Sequence, residues 1–283
     1  MKEYTIEPNE SFYSINYNDQ IIYFDNEYDE YKEEKENNKE IIVNGEWCVP
    51  MPTRKDVITD KKFNYELLGE IILISNRKTE FLEGIDISDA EQHRYIYEKG
   101  TNSILSNKDF LEKISKTKFK TIKTNLKKLA NANNEVVSYC QDEKGRAYYK
   151  IMPYTTTNIN GKEIPQYVRI DSRILEYLCN VYNSNAIKVY CVLLWKLWDN
   201  EKKCYVKKQL TYDWLLKQIG LSGSNGGKNS KMLSDILENF KDVGLIKRSD
   251  AIITEEKKGE NTIVKRVYYY EISEDFLAKK NKK

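Results

Sequence analysis

The segment spanning residues 186–198, AIKVYCVLLWKLW, constrains this chain more than any other. Its apolar positions Ile187, Val189, Tyr190, Val192, Leu193, Leu194, Leu197 and Trp198 follow helical spacing. They form a stripe so wide that the helix must be covered by partners. The downstream sequence supplies those partners. A short β-like run, CYVKKQL, leads to Thr211, which opens a helix with the stripe Trp214, Leu215 and Ile219 and a stop at Gly220. After the turn LSGSNGG a third helix carries Met232, Leu233, Ile236, Leu237, Phe240 and Val243, and it ends at Gly244. LIKRS then runs into an extended pair around the tip EEKKGEN.

Helix, short strand, helix, turn, helix and two-stranded wing is the element order of a winged helix-turn-helix. The residues that carry it are Ala186-Ile187-Lys188-Val189-Tyr190, Leu210-Thr211 with Trp214-Leu215, and Phe240-x-x-x-Gly244-Leu245-Ile246. On these residues the stretch resembles the winged helices of replication initiators and transcription regulators from plasmids and phages of Gram-positive bacteria. The resemblance implies recognition of short DNA repeats by two wings, with a change between monomer and dimer.

The rest of the chain extends the pattern. Within 57–153, Tyr65, Leu67, Leu68, Ile71, Ile72 and Ile74 predict a first helix, and a short helix is expected near 90–97. Ser106-Asn107 caps a second helix with Phe110, Leu111 and Ile114 inward. Thr117 opens a third, with Phe119, Ile122, Leu126 and Leu129 on one face. VVSYC and AYYKI then form a hairpin around a Glu143-Lys144-Gly145 turn. The element order therefore occurs twice, about 110 residues apart. The polar stretch 154–166, with Pro165 near its end, reads as a linker to a second unit at 167–283. Residues 1–56 read as hairpins: FYSIN pairs with IIYF, and IIV pairs with EWCVP across Asn44-Gly45, a strong hairpin signal. The expected fold is α+β, mainly helical: two tandem winged helix-turn-helix domains behind a β-hairpin-rich acidic N-terminal arm.

Charge sharpens this reading. The net charge is +2, but residues 1–40 set four lysines against twelve carboxylates, a balance of −8, which leaves +10 on the remainder. The arm is either a solvated β subdomain or an acidic flap over the basic body or a partner. The basic signal is densest at 106–128, where eight lysines face Asp109 and Glu112. On the third helix Thr117, Lys120, Thr121, Thr124, Lys127 and Lys128 point outward, with Lys123 in the same block. Lysines and hydroxyls there suit phosphate and base-edge contact in a major groove. Lys116 and Lys118 sit at the helix start, where the dipole favours phosphate. Lys144 and Arg146 on the wing extend the contact.

In the second unit Lys228 and Lys231 face outward, but Asp235, Glu238 and Asp242 follow and would repel phosphate. The turn Ser224, Asn225, Lys228 and Asn229 can approach DNA end-on, and Lys257, Lys258, Lys265 and Arg266 on the wing favour DNA. A dimer or partner surface is the competing reading for this unit. Tyr268-Tyr269-Tyr270 is read as strand packing.

Other chemistries are poorly served. GSNGGKNS lacks the glycine spacing and the hydroxyl of a phosphate loop, and it lies between amphipathic helices rather than after a strand. The chain's single histidine, His93, cannot form a His-x-His metal pair or a two-histidine zinc site. The five cysteines form no C-x-x-C pair, which suits a reducing, cytoplasmic setting. No segment is apolar enough to span a membrane, and the opening MKEYTIEPNE lacks the apolar region of a secretory leader. The sequence thus points to a non-enzymatic protein without cofactors. Its expected partner is double-stranded DNA, with a homodimer and host replication proteins as further partners. Initiator, transcription regulator and helicase-loader or primosome-like interaction module are the three readings it leaves open.

Overall fold

A computed structural model describes backbone and side chains for residues 48–75, 94–131, 136–151, 166–223, 227–250, 268–273 and 275–276. It describes backbone alone for 12–17, 20–25, 76–79, 92–93, 155–157, 163–165, 251–258 and 261–267. In chain order the elements begin with β1 (Phe12–Tyr17), β2 (Gln20–Asp25), β3 (Cys48–Pro52), α1 (Lys55–Ile58), α2 (Tyr65–Ile74), β4 (Asn76–Thr79) and β5 (Gln92–Tyr97). Next come α3 (Lys108–Ser115), α4 (Phe119–Ala130), β6 (Val137–Gln141), β7 (Ala147–Ile151), β8 (Thr155–Thr157), β9 (Glu163–Pro165) and β10 (Tyr167–Asp171). The rest are α5 (Ser172–Val181), α6 (Ser184–Leu197), β11 (Trp198–Asp199), β12 (Cys204–Tyr205), β13 (Lys208–Leu210), α7 (Tyr212–Gln218), α8 (Lys228–Val243), β14 (Ile246–Lys258) and β15 (Asn261–Ile272). The protein is α+β, and among the described residues no helix is long and apolar enough to cross a membrane.

Two helices are buried on every side. In α2 all but Glu66 are buried, and in α6 every residue from Ala186 to Leu194 is buried. A helix that is apolar all round cannot lie on a surface, so other elements surround both. α2 packs against α3, α4, α5 and α6, and α6 packs against α5, α7, β10 and β15. Side-chain caps fix where they start: Asn64 accepts from the Leu67 amide at 3.0 Å, and Asn183 accepts from Asn185 and Ala186 at 3.0 and 3.3 Å. Gly69 allows α2 and α5 to approach closely, because a Cβ there would stand 3.1 Å from Cys179 Sγ. Among the described residues, the buried apolar side chains form one hydrophobic cluster running from Val49 to Phe276.

Each half repeats one order. α2, β5, α3, α4 and the hairpin β6–β7 correspond to α6, β13, α7, α8 and the hairpin β14–β15. In both sheets the last strand lies in the middle, as β4-β5-β7-β6 and β13-β15-β14. The stripe read from the sequence of α8 is observed: Leu233, Ile236, Leu237 and Phe240 are buried, and Gly244 ends the helix at φ +86°.

Three expectations need correction. The helix expected near 90–97 is instead strand β5, bonded to β4 and β7. Ile96 is fully buried between half-buried tyrosines, the alternation of a strand. The guanidinium of the buried Arg94 bonds Ser75 Oγ and O, each at 2.7 Å. The hairpin expected across Asn44-Gly45 has its turn outside the described residues, and its second strand pairs elsewhere: β3 pairs antiparallel with β10, Met51 opposite Val168. Asn107 does not cap α3 with its side chain, which donates instead to the Ser103 carbonyl at 2.9 Å. The expected β1–β2 hairpin is present, from Phe12 opposite Asp25 to Tyr17 opposite Gln20. The stretch read as a linker contains the small hairpin β8–β9.

One glycine joins the halves. Gly220 ends α7 at φ +74°, and a Cβ there would lie 2.2 Å from the backbone oxygen of Thr59. Gly220→Ala is therefore expected to destabilise the protein by about 3 kcal/mol or more, combining left-handed strain with a backbone clash. Urea unfolding measures this, and an unchanged midpoint would show that Thr59 is free to move away.

Candidate nucleic-acid interface

The lysine-rich segment folds into a helix pair with a tight turn. α3 ends at Lys116 in the left-handed conformation, φ +53°. Thr117 Oγ1 donates to the Ser115 carbonyl at 3.0 Å, and Lys118 is the extended N-cap of α4. The amphipathic sequence of α4 turns Ile122, Leu126 and Leu129 into the core at 1–3% exposure. The opposite consequence is that Lys108, Lys113, Lys116, Lys118, Lys120, Lys123, Lys127 and Lys128 are all exposed. Among the described residues, no carboxylate pairs with any of these eight lysines.

The start of α4 differs from expectation. Glu112 reaches across the turn and accepts from the Phe119 amide at 2.7 Å. The helix end read as a phosphate seat is thus already met by a carboxylate of the protein itself, although Lys116 and Lys118 stay outward. The threonines differ too. The hydroxyl protons of Thr117 and Thr124 are held by the Ser115 and Lys120 carbonyls, at 3.0 and 2.9 Å, leaving only acceptor lone pairs. Thr121 is exposed, and its hydroxyl makes no hydrogen bond among the described residues. Lys123 lies on the flank of α4 rather than its crest, lining a cleft with Phe119, Leu126, Leu105, Ile104 and Tyr149.

The first hairpin turns through Gly145 at φ +72°. Asp142 organises it by accepting from the amides of Lys144 and Arg146 at 3.0 and 2.8 Å. Its other oxygen accepts from Arg146 Nε at 2.8 Å and from the Tyr97 hydroxyl at 3.2 Å. Desolvation works to raise the Asp142 pKa, and the Arg146 and Tyr97 bonds outweigh it, so the carboxyl is held below its usual value. Arg146 also lies over the Tyr97 ring, 4.7 Å from its centroid. Arg146 is thus a strut of the turn whose side chain remains 59% exposed, and Lys144 beside it is exposed as well.

In the second half Lys228 and Lys231 are exposed at the start of α8, after Gly227 in the left-handed conformation. Asn229 donates to the Ser222 carbonyl at 2.8 Å and so closes the turn. Ser224 and Asn225 lie outside the described residues. The carboxylates on α8 are less repulsive than their count suggests. Glu238 pairs with Arg248 at 2.6 Å and Lys241 at 3.4 Å, which leaves Asp235 and Asp242 exposed. Tyr268 and Tyr270 are strand-packing residues: Tyr270 is fully buried, and Tyr268 stacks on Tyr212 at 5.4 Å. Beyond them β14 and β15 continue as a two-stranded ribbon carrying Lys257, Lys258, Lys265 and Arg266 along its backbone, with Lys257 opposite Thr262 and Thr254 opposite Lys265. The side chains of those four cations lie outside the described residues.

The turn-building role of Glu112 was not anticipated, and its seven-residue distance from Phe119 gives no local signature. A large exposed aromatic was also missed: Trp195 stands off the stripe of its helix, and that misfit is itself the available signal. The chain matches no protein-family model and no curated protein.

Proposed function

We propose that this chain is a double-stranded DNA-binding protein built from two winged helices, and that it acts as a plasmid- or phage-type replication initiator at origin repeats. The observation that carries the proposal is the α3–α4 segment: eight lysines on the two helices and the turn between them, all exposed and unpaired among the described residues, while the apolar side chains of both helices are sealed into the core. The repeated strand order, with the final strand central, supports the winged-helix reading of both halves. Affinity comes from neutralising phosphates and releasing counterions, and specificity from Thr121 and the acceptor oxygens beside it. The protein works by binding and recruitment, without a catalytic step.

The test is retention of duplex DNA across a salt series. Retention that falls steeply between about 50 and 200 mM salt supports phosphate contact, and salt-independent retention rejects it. Replication of a minimal plasmid that depends on the gene separates an initiator from a transcription regulator. The compensated, partly acidic face of α8 favours a dimer or partner contact for the second half.

A further inference from the structure

Trp195 is a large aromatic left half-exposed on an otherwise largely buried helix. Every residue of α6 from Ala186 to Leu194 is buried, as is Leu197, yet Trp195 is 50% exposed. Its ring lies nearly parallel to that of Trp214 on α7, with 13° between planes and 6.5 Å between centroids. Cations frame the pair. Lys196 Nζ stands 5.5 Å from the Trp214 centroid, and the exposed Lys217 is one turn along α7 from Trp214. From Trp195 to Lys217 the sequence holds six lysines and three acids. One of those acids is occupied locally: Asp199 accepts from the Glu201 and Lys202 amides at 3.0 and 3.1 Å, while Asp213, next to Trp214, is exposed. Glu201 is exposed, and Lys208 is turned inward onto the carbonyls of Lys196 and Trp198.

The geometry points to a base-stacking platform for an unpaired nucleic-acid strand. A half-exposed indole, stacked beside a second indole that carries an ammonium group, matches a base face flanked by phosphates. A duplex cannot use it, because its base faces are stacked on one another. The platform is separate from the lysine ridge of α3–α4 and does not depend on how that ridge is read.

The test titrates the full chain with labelled oligo(dT) and oligo(rU), following anisotropy together with tryptophan fluorescence. Oligonucleotide binding is expected to quench the fluorescence. Trp195→Ala is expected to weaken binding about 5- to 100-fold, with Trp195→Phe retaining most of it. Duplex retention is expected to be unchanged in Trp195→Ala, and oligo(dT) binding is expected to survive glutamate substitution of Lys120, Lys123 and Lys127. Circular dichroism confirms that each variant is folded. Unchanged affinity in a folded Trp195→Ala protein overturns the proposal. So does displacement of the strand by inorganic polyphosphate at equal phosphate concentration, which would reduce the site to simple charge attraction. Tighter binding of an acidic aromatic peptide than of either strand would give this face to a protein partner instead.

Discussion

Replacing Lys120, Lys123 and Lys127 with glutamate is expected to abolish duplex retention in a gel shift. Each lysine that neutralises a phosphate contributes a slope of about 0.9 to the dependence of log K on log salt, so losing three removes about 3 from that slope. Reversing the charges adds repulsion, and the affinity at roughly 0.1 M salt is expected to fall by at least about 100-fold. All three side chains are exposed and unpaired among the described residues, so the fold has little to lose. The main cost is a carboxylate at position 127, near the negative end of α4, about 0.5 kcal/mol. A glutamine triple variant should fall between the two. If the folded glutamate variant still retains DNA, the ridge is not the interface.

The second large effect concerns Glu70, which is 2% exposed on α2 with no hydrogen bond or ion pair among the described residues. Burial, reinforced by Glu66 one turn earlier, pushes its pKa up to about 8. Because the folded value exceeds the unfolded one, the folded state binds the extra proton between about 4.5 and 8. Stability from this group is therefore complete at low pH, falls as pH rises through that window, and is flat above it. The total is on the order of 4–5 kcal/mol. Glu70→Gln keeps the shape and removes the titration. The melting temperature of the variant minus that of the parent is expected to be near zero at pH 5 and on the order of 10 °C at pH 9. Taking this difference cancels other groups, including Lys188, whose burial lowers its pKa to about 8 and whose effect runs the opposite way above that pH. A difference that does not vary with pH would show that Glu70 is ionised throughout.

Helical periodicity was the dependable part of the sequence. α2, α3, α4, α6, α7 and α8 each carry a stripe that the sequence displays, and glycines or cap residues mark most of their ends. The hairpin β6–β7 was legible for the same local reason, a turn flanked by alternating residues. What was not legible is non-local. The pairing of β3 with β10 joins segments more than 100 residues apart, and nothing in Cys48–Pro52 names its partner. β5 was hidden because a buried arginine stands where an apolar residue would reveal the alternation, and its justification is Ser75, the residue that ends α2. At the candidate interface, lysine exposure followed from the helix face alone. Arg146, Asn229 and the start of α4 also bond Asp142, Ser222 and Glu112, pairings that a count of charges cannot see.

The continuous cluster around α2 and α6 has a mechanical consequence. Two modules on a flexible tether would each search for a site, and the distance between the sites would matter little. Here the strand before the first module hydrogen-bonds to the strand that opens the second, and the central helix of one half is walled in by helices of the other. Packing of this kind opposes relative movement of the halves, as the fixed jaws of a caliper would. For the duplex ligand proposed above, two contact surfaces would then have a preset span, and paired sites shifted by half a helical turn would engage only one of them.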